Sequence, residues 1–328
     1  MLASATISPG VLILASRYDF SCDYVVDALR ALGTSYLRLN TEDLPSFTLE
    51  LDPIRAVLHG VSHAIEFEVR AETLLSVYFR QPTFLRESAL SGRPGHEQFS
   101  RAQWASFMRS LMVFDKCLWV NHPARTYEAE HKAIQLRTGA DLGFDIPRTR
   151  VTNSSFACSY VAGGAQEVAV KGLETVLTRE GSVETFGYTN LLAREDVACS
   201  ELASAPAILQ EALVDKLDLR VTVVGCNVWC AAVTTRGQRI WGDWRLAKSD
   251  AEFSAFQLPE SVSSKCIALT RTLGLQYGAI DLALSGGKYY FLEINPTGEW
   301  AWLQSSVGFE ISACLAKCLA SGLQGEAR

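Results

Sequence analysis

The sequence predicts a mixed protein, an α/β domain at the amino end followed by α+β structure, and three observations lead there. The chain opens on a strand, helix, strand pattern of the parallel kind. Its hydrophobic periodicity changes after residue 118, and two strands over 277–295 are joined around Gly286-Gly287-Lys288. With 328 residues, 48% of them apolar, it can bury two or three compact units.

Residues 11–15 (VLILA) read as a buried strand, 23–32 as an amphipathic helix closed by Gly33, and 36–39 as the next strand. The carboxyl ends of this parallel pair, near 16–21 and 40–43, would face a ligand crevice. Residues 76–79 form a further strand signal, ended by Arg80-Gln81-Pro82, and a helix is predicted over 97–113. These elements make a first domain ending at residue 118.

From Trp119 the pattern differs. Asn121-His122-Pro123 is a turn, and residues 127–142 carry the apolar spacing of one helix, with Gly143 as its cap and Pro147 beyond. Strands follow at 149–152 and 167–171. Residues 172–190 are polar and aperiodic, as expected of a mobile connection or a ragged hairpin. Strands are predicted at 207–211, 219–224 and 228–233, a helix at 262–273, a hairpin over 277–295 and a last helix after Val307.

Composition removes several function classes. A net charge of -6 and a pI near 5.5 argue against a nucleic-acid partner, which would call for a basic surface. The early apolar run is too short for a bilayer and lacks basic residues ahead of it, so neither membrane insertion nor a signal peptide is expected, and the chain reads as cytoplasmic. The nine cysteines are scattered and form no C-x-x-C pair, so no disulfide framework or zinc ribbon is suggested.

The hairpin carries the sharpest inference. With a three-residue loop, Gly286-Gly287-Lys288, Ser285 faces Tyr289, and Ile280, Leu282 and Leu284 face Ile294, Leu292 and Tyr290 as one apolar side. The same register sets Asp281 opposite Glu293, with Asn295 two residues further along. A two-residue loop would split the carboxylates between faces. Two carboxylates and an amide on one side suit a hard cation such as Mg2+. The aromatic stretch at 300–302 is expected to cover this site.

Phosphate charge needs another source of compensation, because neither G-x-x-x-x-G-K-[ST] nor G-x-G-x-x-G is present. Lys132, on the central helix, and Lys171, at the end of an apolar strand, are the candidates.

The segments Ala207-Ile-Leu-Gln210-Glu211-Ala212-Leu-Val214 and Lys216-Leu-Asp218-Leu-Arg220-Val-Thr-Val-Val-Gly225, followed by the hairpin, resemble the ATP-grasp superfamily. That resemblance implies an ATP-grasp fold with an N-terminal α/β domain (1–118), a small central lobe (119–205) and a C-terminal lobe (206–328). It implies that Lys132 and Lys171 touch phosphates and that Gln210, Glu211, Ala212 and the backbone to Val214 meet adenine. Asp218 would meet the ribose, and Asp281, Glu293 and Asn295 would hold Mg2+ with ATP.

Within that superfamily, Tyr78-Phe-Arg80-Gln-Pro82, Asn121-His-Pro123, Lys132-Ala-Ile-Gln-Leu136, Gly143-Phe-Asp-Ile-Pro147, Asp243-Trp-Arg245 and Leu292-Glu293-Ile-Asn295-Pro296-Thr-Gly298-Glu-Trp300 resemble the graspetide synthetases of the microviridin type. One departure is Glu299, where a glutamine is expected. The likeness implies a homodimeric ligase that acts on a ribosomal precursor peptide with leader and core. Such an enzyme links Asp or Glu carboxylates to Ser or Thr as esters, or to Lys as amides. It implies that Arg220 and Arg245 hold the carboxylate being activated, that Arg80 has a core-peptide or structural role, and that the leader docks near Glu195 and Asp196, where the acids also suit a helix start. A ligase for free amino acids or dipeptides would share the nucleotide motifs. A non-catalytic nucleotide-binding module would be expected to lack one of these ligands, and none is missing.

Overall fold

The computed structural model describes residues 6–62, 65–80, 94–174, 177–180, 183–199, 201–213, 215–247 and 249–323. Along the chain come β1 (Val11–Ala15), α1 (Ser21–Ala31), β2 (Tyr36–Asn40), β3 (Thr48–Asp52), β4 (Val57–Val61), β5 (Glu66–Arg70), β6 (Ser76–Phe79), α2 (Gly95–Ser110), β7 (Leu118–Val120) and α3 (Pro123–Ala129). Next are α4 (Lys132–Asp141), β8 (Thr149–Thr152), α5 (Ala157–Ala162), β9 (Glu167–Lys171), β10 (Leu177–Glu180), β11 (Val183–Phe186), β12 (Asn190–Ala193), α6 (Arg194–Cys199) and β13 (Ala207–Glu211). The chain closes with β14 (Leu217–Val224), β15 (Asn227–Thr235), β16 (Ala251–Ala255), α7 (Glu260–Thr272), β17 (Tyr277–Ser285), β18 (Lys288–Asn295), α8 (Ala301–Val307) and α9 (Ile311–Ser321). Among the described residues, no helix is long and apolar enough to cross a membrane.

These elements form two compact units. The first holds Met1–Tyr127, Gly274–Tyr277 and Pro296–Arg328; the second holds Glu128–Leu273 and Gly278–Asn295.

In the first unit a parallel sheet runs in the order β2-β1-β6-β7. Every residue of β1 is buried, as a strand covered on both faces requires. Helix α1 buries Ser21, Cys22, Val25, Val26 and Leu29 along one stripe and packs on α9. Between residues 48 and 70, where no element is expected, β3, β4 and β5 form an antiparallel sheet in that order. β3 and β5 alternate polar with apolar residues, and Leu58, Phe67 and Val69 join the core of the parallel sheet. Gly60 is needed there: a Cβ would sit 2.2 Å from the Phe67 ring. Trp300, expected as a cover for the hairpin, lies fully buried in this unit with its ring 6.3 Å from Tyr24.

The second unit has an antiparallel sheet β12-β9-β13-β8, whose core of Cys158, Val161, Val168, Val197 and Leu209 is closed by α5 and α6, and a five-stranded sheet β16-β15-β14-β17-β18. Residues 172–190 include an antiparallel hairpin, β10-β11, the second of the two expected alternatives. The single helix predicted over 127–142 is two. His131 is extended (φ -74, ψ 108), and the Ala129 carbonyl, which a continuous helix would give to residue 133, accepts instead from Gln135 Nε2 at 2.6 Å.

The final hairpin corrects the predicted loop while keeping its consequence. Ser285 pairs with Lys288, Leu284 with Tyr289, Ala283 with Tyr290 and Leu282 with Phe291, so the loop has two residues, Gly286 and Gly287. Both have positive φ, +55° and +76°, which a two-residue turn between twisted strands demands. A β-bulge then leaves Leu292 unpaired and restores Asp281 opposite Glu293 and Ile280 opposite Ile294. A two-residue loop with a bulge has the same parity as a three-residue loop without one.

Candidate active site

Strand alternation builds the floor of the site. On β14, Leu219, Val221 and Val223 share one face, and Asp218, Arg220 and Thr222 share the other; all six are buried. Asp281 on β17 lies on the polar side of that sheet, where Arg220 Nη1 donates to its Oδ1 at 2.8 Å. Arg245, from a turn of 3-10 helix at Trp244–Ala247, places Nη2 2.5 Å from Asp281 Oδ2 and 2.7 Å from Glu293 Oε1. Lys132 Nζ reaches Glu293 Oε2 at 2.5 Å. Both carboxylates therefore face the same side of the ribbon, and three cations meet their four oxygens. Asn295 stands opposite Ala279, on the side of the strand that Glu293 shares.

The electrostatics follow from burial and neighbours. Desolvation alone would raise the Glu293 carboxyl, but Lys132, Arg245 and Lys171 outweigh it and hold the group well below the usual carboxylate range. Burial of Arg245 is likewise outweighed by Asp281, Glu293 and Asp243, which raise its guanidinium. Desolvation lowers the Lys171 ammonium, with Lys132 and Arg245 adding to the effect. Asp218 is lifted by burial to about 6 although Lys216 bonds it.

An open cavity of about 640 Å³, counting its solvent mouth, is bounded by Asp281, Glu293 and Arg245 and by Lys171, Glu211 and Asp218. Lys171 Nζ donates to Gln210 Oε1 at 2.7 Å, and Gln210 Nε2 donates to Thr149 Oγ1 at 3.0 Å. Glu211 is fixed by Arg148, whose Nη2 lies 2.9 Å from Oε1 and whose backbone N–H donates to Oε2.

Other expected residues fall elsewhere. Leu213 lines the cavity where Ala212 does not, and Val214 lies outside the described residues, as do Gln81 and Pro82 of the strand-ending motif. Glu195 and Asp196 are exposed in the first turn of α6. Arg80 belongs to the first unit, where its side chain is 5% exposed. It donates to Asp19 Oδ2 at 2.9 Å and to the Thr297 and Gly298 carbonyls. Glu299, the departure from the expected glutamine, accepts from the Trp300 and Ala301 backbone N–H groups and from Arg80 Nη2.

The sequence reading assigned no role to Asp243 or Lys216, both of which line the cavity. Asp243 accepts from the Arg245 backbone N–H at 3.0 Å and from the Thr189 backbone N–H at 3.2 Å. The signal was present in Asp243-Trp-Arg245, where a short acid two residues before an arginine can fix its turn.

No protein-family model and no curated protein matches the chain. Solved structures do. The macrocyclase MdnC of Microcystis aeruginosa MRC, bound with precursor peptide MdnA, is 24% identical and superposes with a TM-score of 0.80 over 96% of this chain and 100% of its own. The RiPP-associated ATP-grasp ligase of Chryseobacterium gregarium, in complex with ADP and a leader and core peptide, is 21% identical with a TM-score of 0.80 over 95% of each chain. The fold is ATP-grasp. The macrocyclase MdnB of Microcystis aeruginosa MRC, 25% identical with a TM-score of 0.73 over 95% of this chain and 99% of its own, has the same ATP-grasp architecture.

The donor set can be tested against the metal that ATP-grasp chemistry implies. Among the described residues no three His, Cys, Asp or Glu side chains cluster as a metal cage. Asp281 and Glu293 with the Asn295 amide instead supply a few oxygen donors from one ribbon, which fits Mg2+ completed by water and phosphate and does not fit a metal needing a full protein cage.

Proposed function

We propose that the protein is an ATP-dependent carboxylate ligase that closes rings in a ribosomally made precursor peptide. It would phosphorylate Asp or Glu side chains and join them to Ser or Thr hydroxyls or to Lys amines. The observation that carries this is the opposed pair Asp281 and Glu293, bridged by one guanidinium at the wall of a cavity that also holds Lys171, Gln210 and Glu211. Peptide-bound structures of the same fold favour a peptide over a free amino acid as the carboxylate donor.

Each residue has a task in that chemistry. A carboxylate is a poor electrophile, so its oxygen must attack the terminal phosphorus of ATP, expelling ADP and giving an acyl phosphate. A hydroxyl or amine then attacks the acyl carbon and phosphate leaves. Arg220 and Arg245 would hold the anionic carboxylate and then the acyl phosphate through their planar forks. Lys171 and Lys132 would neutralise phosphate charge, and Lys132, the first residue of α4, adds to the positive end of that helix. Gln210, Glu211, Ala212 and Val214 would meet adenine, and Asp218 the ribose. Mg2+, held by Asp281, Glu293 and Asn295, would supply charge neutralisation at the transferring phosphoryl group.

The same proposal divides the ATP-grasp lobes at residues 118 and 205, docks the leader near Glu195 and Asp196, and gives Arg80 its role from within the first unit. It includes a homodimer, and a cytoplasmic location where ATP is at hand. Mass spectrometry of a peptide encoded beside this gene, incubated with the protein and MgATP, tests it. One loss of water per bond is expected. ATP turnover stimulated by free amino acids and indifferent to the peptide would contradict it.

A further inference from the structure

Helix α4 docks on β18 in an unusual way. Its buried residues are Gln135 and Gly139, an amide and a glycine rather than large apolar side chains. Lys132, Gln135 and Gly139 are spaced i, i+3 and i+7 and share one face of the helix. Along that face Lys132 meets Glu293, Gln135 meets Ile294 and Gly139 meets Phe291.

The Gln135 contact is bidentate. Its Nε2 donates to the Ile294 carbonyl at 2.8 Å, and its Oε1 accepts the Ile294 N–H at 3.0 Å. An edge strand would exchange the same two bonds with a neighbouring strand. β18 is the edge of its sheet, and Gln135 supplies this pairing at the one residue between Glu293 and Asn295, just after the bulge at Leu292. Nε2 also donates to the Ala129 carbonyl, which ties the amide to the break before α4. Gly139 permits the approach, since a Cβ there would lie 2.8 Å from Phe291 Cδ1, a ring fully buried and backed by Phe144 at 5.6 Å.

We infer that Gln135 is a positioning residue: it sets the two oxygen donors of β18, Glu293 and Asn295, relative to Lys132, with Gly139 fixing how near the helix comes. This rests on the reading of Asp281, Glu293 and Asn295 as the cation site. A bulge disrupts the ladder locally and bends the strand, and groups that orient metal donors from behind are worth about 10- to 100-fold in metal affinity.

The test uses the full chain with Mn2+ and ADP as probes, Mn2+ binding being read by electron paramagnetic resonance and ADP binding by calorimetry with and without metal. Two variants are compared below their melting temperatures. Gly139→Ala raises intrinsic helix propensity while pushing α4 off Phe291. Gln135→Glu keeps the shape and the acceptor for the Ile294 N–H but loses the donor to its carbonyl. In both, Mn2+ affinity of the ADP complex should fall about tenfold, while ADP affinity without metal stays at the wild-type value. Unchanged Mn2+ affinity in either variant, or a fall matched by metal-free ADP affinity, would reduce Gln135 to packing and overturn the inference. A wild-type ADP complex that binds no Mn2+ would overturn the cation site itself.

Discussion

Asp281 stands opposite Glu293 across the last ribbon, and both carboxylates reach the same nitrogen, Arg245 Nη2, at 2.5 and 2.7 Å. A buried and a half-buried acid at such close range are tenable only because Arg220, Arg245 and Lys132 surround them. An arrangement of this kind concentrates positive charge where a phosphoryl group and a carboxylate, both anions, would have to meet.

Arg245→Ala should separate binding from chemistry. The guanidinium is bonded to the Asp281 and Glu293 carboxylates and not to Gln210 or Glu211, the proposed adenine contacts, so ADP affinity by calorimetry should stay near wild type. Ligation should drop by about 10²- to 10³-fold, the scale for losing a donor aimed at developing charge. A variant that ligates at the wild-type rate would remove Arg245 from the reaction.

Lys171→Met should do the reverse. Its side chain is half-buried and held by Gln210 at 2.7 Å, in the wall of the cavity that Glu293 also lines. Loss of a charge-assisted contact predicts about ten- to hundredfold weaker nucleotide binding by calorimetry. Unaltered affinity would dismiss a phosphate role.

Asp19 and Arg80 give the first unit an acid-sensitive brace. Burial would raise the Asp19 carboxyl, but Arg80 and Ser21 outweigh it and lower it below its ordinary value. A depressed carboxyl stabilises the fold above its unfolded value, about 3.9, and that contribution is lost as pH falls through the lower folded value. Melting temperature measured from neutral to acid pH should therefore fall less steeply in Asp19→Asn than in wild type, from a lower starting point. Parallel curves would show that the pair contributes nothing through protonation.

How much of this was readable beforehand depends on what periodicity can report. Asp218 and Arg220 were named through the resemblance alone, with the strand expected only from 219, while hydrophobic parity already put Asp281 opposite Glu293. Parity is blind to how it is achieved, so the Gly286-Gly287 turn with a bulge at Leu292 passed for a three-residue loop, although a Gly-Gly doublet is itself the signal of a two-residue turn. The break at Glu130-His131 was hidden because Tyr127, Ile134 and Leu142 keep helical spacing across it, and only the Gln135 to Ala129 bond reveals why the helix stops. The β3-β4-β5 sheet was missed because its charged residues masked a half-buried alternation. Asp243 stands two residues before Arg245 and was readable as the acid that fixes its turn, whereas the part of Lys216 depends on where the chain lies around the cavity, which no local pattern encodes.

Replacing Glu293 with Gln should abolish ADP formation while leaving the melting temperature within a few degrees, because the amide retains the shape and one acceptor for Arg245 or Lys132. Steady-state ADP release in the presence of the peptide checks this. Turnover near the wild-type rate would remove Glu293 as a metal ligand.

The most direct measurement is anomalous diffraction from crystals grown with Mn2+ and ADP. The account predicts a single strong peak within coordination distance of Asp281, Glu293 and Asn295, between that ribbon and the phosphates of the nucleotide. A peak at other residues, or ADP bound in the cavity with no peak at the ribbon, would contradict it.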